Sequence, residues 1–167
     1  MSISSAPREA IVVPGANSGS ALACIRSLGE RDVHTIVATE DPTIALTASR
    51  HCGEVVEVPS PRAEYLEYKD ALVSLASRPE VRTIIPTRED DIYVLAKYRD
   101  EFSQYIVTPW PAFDTIQTVH DGYRLAEFVS ELDIPVPDTQ LYDAVDDWSQ
   151  ERIVKARYSV LTDDHVD

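Results

Sequence analysis

Short apolar runs alternate with amphipathic helical segments from the start of the chain, and this alternation restricts the fold more than any other feature. Apolar runs bounded by Pro or Gly are typical of buried strands. We predict strands at residues 10–13, 34–39, 55–58, 83–86 and 105–107. Apolar side chains at helical spacing predict helices at residues 18–28, 62–76 and 89–99. Strands that alternate with helices in this way predict a parallel sheet covered by helices on both faces.

Right-handed connections between such units give a Rossmann-like, doubly wound parallel sheet, so we expect an α/β domain of that class. We assign this domain to residues 8–110, because the Pro109-Trp110-Pro111 segment interrupts the alternation. Residues 111–167 are expected to begin a second domain. Its predicted elements are helices at residues 113–119 and 122–132 and a strand at residues 152–156.

The charge balance excludes several classes of partner. Asp and Glu total 29 against 15 Lys and Arg, which leaves a formal net charge of −14. No basic stripe is present to neutralise phosphates, so we expect neither nucleic acid nor an anionic membrane as a partner. No apolar run approaches the ~20 residues that span a bilayer, and no secretory leader is visible. We therefore expect a cytoplasmic protein.

Lysine is scarce in this chain. Lys69, Lys97 and Lys155 are its only lysines, and the acidic residues are spread over every predicted helix and loop. This combination favours adaptation to a high-salt cytoplasm, where screening suppresses the repulsion between surface carboxylates. An ordinary acidic protein is the alternative. Neither Cys24 and Cys52 nor the four histidines have metal-ligand spacing, so we predict no metal site.

The turn after the first predicted strand is the strongest candidate for a binding site. Gly15 can take the tight turn, and Gly19 permits a close approach of backbone. The N-terminus of the following helix offers free N–H groups to an anion, with Asn17, Ser18 and Ser20 beside it. A doubly wound sheet binds its ligand at this edge. The alternative is that the glycines only permit a short connection between strand and helix.

This loop resembles the cofactor loop of short-chain dehydrogenases, and Glu40 or Asp41 lies where that family has a ribose-binding acid. Tyr65 and Lys69 have the Tyr-x-x-x-Lys spacing of its catalytic pair. The pair follows the loop too soon to reach a nicotinamide, and Tyr65 lies on the apolar stripe of its helix. We therefore favour core packing for Tyr65. A stand-alone nucleotide- or NAD-binding Rossmann module remains the alternative function.

A longer series of motifs resembles the ATP-grasp superfamily. In the first domain these motifs occupy residues 41–42, 49–50, 55–60, 84–91 and 95–99. In the second domain they occupy residues 120–124, 132–139 and 153–157. Their order is similar to that in the N-terminal part of carbamoyl-phosphate synthase large subunits and of biotin-carboxylase-like ligases. The resemblance as a whole covers about 90% of the chain.

The resemblance implies a pre-ATP-grasp domain followed by the beginning of an ATP-grasp nucleotide lobe. The family uses ATP and Mg²⁺ to convert a carboxylate into an acyl phosphate, which an amine or ammonia then attacks. By resemblance, Lys155 holds ATP phosphates. Arg124 is the substitute cation near Gly122, where the family usually has lysine. The loop that begins at Gly15 would then face the carboxylate or acyl-phosphate substrate.

Thr87, Arg88 and Glu89 follow the fourth predicted strand, and we expect them to line the same crevice. A simple helix cap by Thr87 or Asp90 is the alternative for this segment.

The resemblance also implies a longer enzyme, because the family's Mg²⁺ carboxylates and catalytic arginine follow the position of Lys155. We therefore expect an N-terminal fragment that is inactive alone and binds no cofactor tightly. Its partner would be the rest of the ATP-grasp chain, in cis or as a separate subunit. The non-catalytic half of a split enzyme is a further alternative. The catalytic residues, the carboxylate and amine substrates, and the oligomeric state stay open, with a homodimer as one candidate.

Overall fold

The computed structural model describes residues 9–15, 18–132 and 134–160, and the chain divides into two compact units between Trp110 and Pro111. The elements of the first unit are β1 (Ala10–Pro14), α1 (Gly19–Gly29), β2 (His34–Thr39), β3 (Glu54–Glu57), α2 (Tyr65–Ala76), β4 (Val81–Ile84), α3 (Glu89–Lys97) and α4 (Arg99–Phe102). The elements of the second unit are α5 (Phe113–His120) and α6 (Gly122–Ser130). No helix in the described ranges is long and apolar enough to cross a membrane.

The strands of the first unit form a parallel sheet with the order β3-β2-β1-β4. Val12 in β1 lies opposite Ile36 in β2 and Ile84 in β4. The chain adds strands in one direction from β1 to β3 and then crosses to the other side of β1 to form β4. This reversal creates a topological switch point between β1 and β4, where the loops on either side diverge. The predicted Rossmann-like α/β class is confirmed.

The two central strands, β1 and β2, are covered on both faces, which explains why their side chains are mostly buried. The flanking strands β3 and β4 carry exposed charged side chains, at Glu57 and Arg82. Val13 and Val37 belong to one buried cluster with Ala21 and Ile25 of α1. Successive side chains of a strand point to opposite faces, so Val12 and its neighbours on β2 point away from that cluster. The buried residues of the helices that follow β3 and β4 include Tyr68, Leu72, Leu75, Tyr93, Val94 and Leu95.

The prediction of a fifth strand at residues 105–107 is wrong. This segment runs beside β4, where the Val107 amide donates to the Arg82 carbonyl at 3.0 Å and Thr83 Oγ1 donates to the Val107 carbonyl at 2.8 Å. Tyr105 and Val107 are exposed, so the apolar character of the run does not reflect burial on both faces. One backbone hydrogen bond does not make a ladder, and the segment is irregular.

The predicted strand at residues 152–156 is also wrong, and its side chains are exposed. A strand requires a neighbour for its backbone groups, and the described part of the second unit contains no sheet. The nearest feature to a ladder is an isolated antiparallel bridge between Asp121 and Tyr158. The predicted helix at residues 89–99 is interrupted at Tyr98, which separates α3 from α4.

Candidate functional site

The loops after β1 and β4 meet at the switch point. Thr87, in the loop after β4, donates a hydrogen bond from Oγ1 to the carbonyl of Pro14, the last residue of β1, at 2.8 Å. The Ile85 amide continues the contact by donating to the Val12 carbonyl at 2.9 Å. The Thr87 hydroxyl therefore ties the two loops that border the crevice of the sheet.

Gly15 has a structural role that no other residue can fill without strain. Its φ of +69° lies in the left-handed region, which side chains with a Cβ rarely adopt. A Cβ at this position would lie 2.4 Å from Nε of Arg88 and 2.7 Å from Oδ2 of Asp91. The glycine thus allows the Arg88 guanidinium to lie directly against the end of β1.

Asp91, in the first turn of α3, is the most highly connected polar side chain of this region. Its side chain is 0% exposed. Oδ1 accepts a hydrogen bond from the Tyr68 hydroxyl at 2.7 Å and from Nη2 of Arg88 at 2.9 Å. Oδ2 accepts from the backbone amide of Arg88 at 3.0 Å. One buried carboxylate therefore binds α2, the loop after β4 and the start of α3 together.

The surroundings hold these groups in defined protonation states. Burial and the neighbouring Asp91 carboxylate raise the pKa of Tyr68 well above its usual value, so the phenol remains a hydrogen-bond donor. Burial lowers the pKa of the Arg88 guanidinium, but hydrogen bonds and charge interactions with Asp91 and Glu40 outweigh burial and raise it overall. The crevice thus contains a permanently charged cation.

Arg88 reaches across the crevice to a second carboxylate. Its Nη1 donates to Oε1 of Glu40, which directly follows β2, at 2.8 Å. The ion pair joins the carboxyl end of β2 to the beginning of α3, with β1 between them. Glu40 was a candidate ribose-binding acid by sequence, and in the structure it is a partner of Arg88.

The N-terminus of α1 forms the other border of the site. Ser18 has extended backbone, and its Oγ accepts a hydrogen bond from the Ala21 amide at 3.0 Å. Gly19 and Ser20 are exposed in the first turn, whose amides have no partner within a helix. Ser18 and Gly19 also line a groove of about 580 Å³ between α1 and residues 44–49.

The remaining candidates of the first unit occupy separate places. A Cβ at Gly19 would have no described atom within 4 Å, so no close approach of described backbone requires this glycine. Glu89 is exposed in the first turn of α3. Asn17 lies outside the described residues. The amide of Arg88 at the start of α3 is bound by Asp91 rather than by Thr87 or Asp90, the capping residues considered from sequence.

Tyr65 and Lys69 both contact other side chains of the first unit. Tyr65 is half-buried and packs with Tyr98 at a centroid distance of 6.1 Å. Nζ of Lys69 lies 2.6 Å from Asp70 and 3.0 Å from Glu101, which occupy its ammonium group. This arrangement agrees with the preference for packing over catalysis.

In the second unit, Asp121 lies among arginines that include the candidate Arg124. Its carboxylate is buried at the start of α6 and accepts hydrogen bonds from the amides of Tyr123 and Arg124. Arg157 donates to both of its oxygens, with the Nη2 contact at 2.7 Å. Nε of Arg124 lies 3.6 Å from the same carboxylate. Lys155 precedes Arg157 by two positions and is exposed in irregular backbone rather than on a strand.

The Asp121 carboxylate is held in its ionised form. Burial raises its pKa, but hydrogen bonds from Arg157 and from the Arg124 amide outweigh burial, so the pKa lies below the usual value. The Gly122 amide also donates to the Arg157 carbonyl at 2.8 Å. Asp121 and Arg157 thus fix the segment that follows Lys155 against the start of α6.

Sequence reasoning did not identify Asp91, Tyr68 or Arg157 as residues of these sites. Asp91 had one available signal, since it is an acid in the first turn of a helix that follows a buried strand, where it can bind free amides. Tyr68, which donates a hydrogen bond to Asp91, lies on a different helix, 23 positions before Asp91 in the chain. No local sequence pattern indicates this contact.

Comparison with known proteins gives a likeness of fold alone. No known family matches the chain, and no curated protein matches it. Among solved structures it is similar to an L-amino acid ligase from Bacillus licheniformis, with a TM-score of 0.63 and 8% sequence identity over 80% of this chain. The match spans 32% of the ligase, so this chain corresponds to about a third of that protein's length.

Replacement by alanine should affect the free energy of unfolding differently at the two glycines of this loop. We expect Gly15→Ala to lower the free energy of unfolding by at least about 2 kcal/mol, because it adds left-handed strain and overlaps Arg88. Gly19→Ala is the matched control. It should leave the free energy unchanged or raise it by up to about 1 kcal/mol, since alanine favours the helix. Urea unfolding measures both, and equal effects would contradict the assigned role of Gly15.

Asp121→Asn should destabilise the second unit in a pH-dependent manner. Asparagine keeps an acceptor for the two amides but loses the charge that binds Arg157, so we expect a loss of about 1 kcal/mol at neutral pH. Because the folded-state pKa is lowered, this stabilisation is complete above the unfolded pKa of about 3.9 and disappears as the pH falls through the folded value. The difference between wild type and variant should therefore shrink below about pH 4.

Urea unfolding followed at the NMR signals of the Gly122 and Ser159 amides measures this difference, since both amides donate across the contact. Asp138→Asn, at an exposed position, is the control for the loss of one charge. A deficit of Asp121→Asn that is independent of pH would show that the carboxylate charge does not stabilise this unit.

Proposed function

We propose that this chain is the N-terminal part of an ATP-grasp ligase that joins a carboxylate to an amine or to ammonia through an acyl phosphate. The observation that carries the proposal is the placement of the Arg88 cation and the N-terminus of α1 at the carboxyl ends of parallel strands. The ordered ATP-grasp motifs support the reaction class. The likeness of fold to an amino acid ligase is consistent with it.

In this proposal the first unit, which we assign to residues 8–110, is a pre-ATP-grasp domain that binds the carboxylate or acyl-phosphate substrate. Gly15 and the residues 17–20 provide backbone amides and hydroxyls, and Arg88 provides positive charge. Thr87 positions the loop through its bond to β1. Glu89 makes no polar side-chain contact among the described residues and faces solvent beside this region.

The second unit, residues 111–167, would begin the nucleotide lobe. Lys155 and Arg124 are the cations proposed to hold ATP phosphates, and their exposure leaves both available to a ligand. In the reaction, a substrate carboxylate oxygen attacks the γ-phosphorus of ATP, giving an acyl phosphate and ADP. The amine then attacks the acyl carbon and phosphate leaves. Cations offset the charge that develops on the transferred group.

Mg²⁺ is part of this proposal through the reaction class. The described residues contain no group of three or more His, Cys, Asp or Glu side chains that could hold a metal ion. We therefore assign no Mg²⁺ ligand within them, and the proposal requires carboxylates from the remainder of the lobe, supplied in cis or by another subunit.

We also propose that the protein operates in a high-salt cytoplasm. The net charge of −14 and the presence of only three lysines support this environment, because concentrated salt screens repulsion among carboxylates.

A titration with acetyl phosphate tests the proposed site, because this compound carries the acyl phosphate group and little else. We expect amide NMR signals of Gly15, Ser18–Ser20 and Thr87–Arg88 to shift, with a dissociation constant of about 1 mM. Acetamide, which has the same acetyl group without the phosphate, is the matched control and should shift none of them. The Gly29 amide, at the far end of α1, should not respond.

A parallel titration with NAD⁺ separates this proposal from a dinucleotide-binding module. Saturation of the same amides by micromolar NAD⁺, together with no response to acetyl phosphate, would contradict the ligase proposal. A response confined to residues outside the crevice would also contradict it.

A further inference from the structure

The Arg88 guanidinium is shared by two carboxylates in very different surroundings. Asp91 binds Nη2 at 2.9 Å, and Glu40 binds Nη1 at 2.8 Å. The Asp91 side chain is 0% exposed, whereas that of Glu40 is 37% exposed and that of Arg88 is 24% exposed. One partner is therefore an internal part of the fold, and the other is in contact with solvent at the rim of the crevice.

Asp91 cannot leave Arg88 without loss of structure. Its oxygens also accept from the Tyr68 hydroxyl and from the Arg88 amide, and these donors would be buried without a partner if the carboxylate moved. Asp91 alone already balances the charge of Arg88. The second carboxylate, from Glu40, is thus not needed to neutralise the cation.

Glu40 has few other attachments. Among the described residues, Arg88 is the only polar partner of its side chain. It lies one position after the end of β2, and it does not belong to a helix. An exposed ion pair of this kind contributes little net stability, because water solvates both groups when they separate. Glu40 can therefore rotate away from Nη1 at small cost.

The position of Nη1 suits an incoming anion. The guanidinium lies against Gly15, and Nε and Nη2 are already fixed by Asp91, so Nη1 is held at the edge of the switch-point crevice. A planar carboxylate or a phosphate oxygen can accept from such a donor with the same geometry as Glu40. The structure therefore contains a cation whose outward donor is covered by a partly exposed carboxylate of the same chain.

We propose that Glu40 is an internal competitor that occupies Nη1 of Arg88 until a small-molecule carboxylate or acyl phosphate displaces it. This inference rests on the proposed function, and it identifies the seat of the substrate anion and a residue that limits affinity for it. Ligands with weak or no negative charge cannot displace Glu40, so the competition also selects for anions. Once displaced, the Glu40 side chain moves into solvent without breaking any other polar contact within the described residues.

The test compares acetyl phosphate binding by wild type, Glu40→Gln and Asp41→Asn. Glu40→Gln removes the competing charge and should tighten binding about threefold, in line with the small net strength of a partly exposed ion pair. Asp41→Asn removes one exposed charge from the adjacent position, where the carboxylate accepts from Thr43 instead of Arg88. Asp41→Asn should change the logarithm of the dissociation constant for acetyl phosphate by less than half of the change that Glu40→Gln causes.

The side-chain Nε–H signal of Arg88 and the Thr87 amide signal report binding at this cation. Tighter binding by Glu40→Gln alone, with a shift of the Arg88 signal, supports the inference. Equal tightening in both variants would overturn it, because the effect would then come from net charge and not from competition for Nη1. If no variant shifts the crevice signals, the proposed function fails and this inference fails with it. If wild type binds and Glu40→Gln does not bind more tightly, only the inference fails.

Discussion

The other polar contacts at the carboxyl end of the sheet depend on the hydrogen bonds of the buried Asp91 carboxylate. A charged group without exposure is tolerated only when every oxygen is hydrogen-bonded and a cation is adjacent, and Tyr68 and Arg88 satisfy both conditions. These bonds determine where Arg88 lies. They also require Gly15, since any side chain there would occupy the space of the guanidinium. The position of the Arg88 guanidinium therefore follows from its contacts with Asp91 and from the space that Gly15 leaves beside β1.

The second unit repeats this solution in a more open form. Asp121 is buried at the beginning of a helix, binds backbone amides there and holds an arginine, as Asp91 does in the first unit. Arg157 comes from a distant segment of the chain, whereas Arg88 lies three positions before Asp91. In both places an acid at the start of a helix interacts favourably with the helix dipole and also orients a cation. The difference is exposure, since Arg157 and its neighbours lie at the surface. In each unit, one buried acid thus positions an arginine.

The sequence predicted the parts of the fold that depend on local pattern. Buried strands and amphipathic helices follow from residues close together in the chain, so the sheet and its covering helices were predictable. Residues 105–107 and 152–156 were not, because strand formation depends on a pairing partner that no local pattern reveals. The site shows the same division. Gly15 and Arg88 were identified from their place after strands, but the role of Asp91 depends on Tyr68 in another helix.

The most direct test is a double-mutant cycle between Tyr68→Phe and Asp91→Ala, with the free energy of unfolding measured in urea for wild type, both single variants and the double variant. We expect the two changes not to be additive, with a coupling free energy of about 1.5 kcal/mol, as for a buried hydrogen bond to a charged group. Additivity within about 0.3 kcal/mol would contradict this expectation, because the Asp91 carboxylate would then not depend on the Tyr68 hydroxyl.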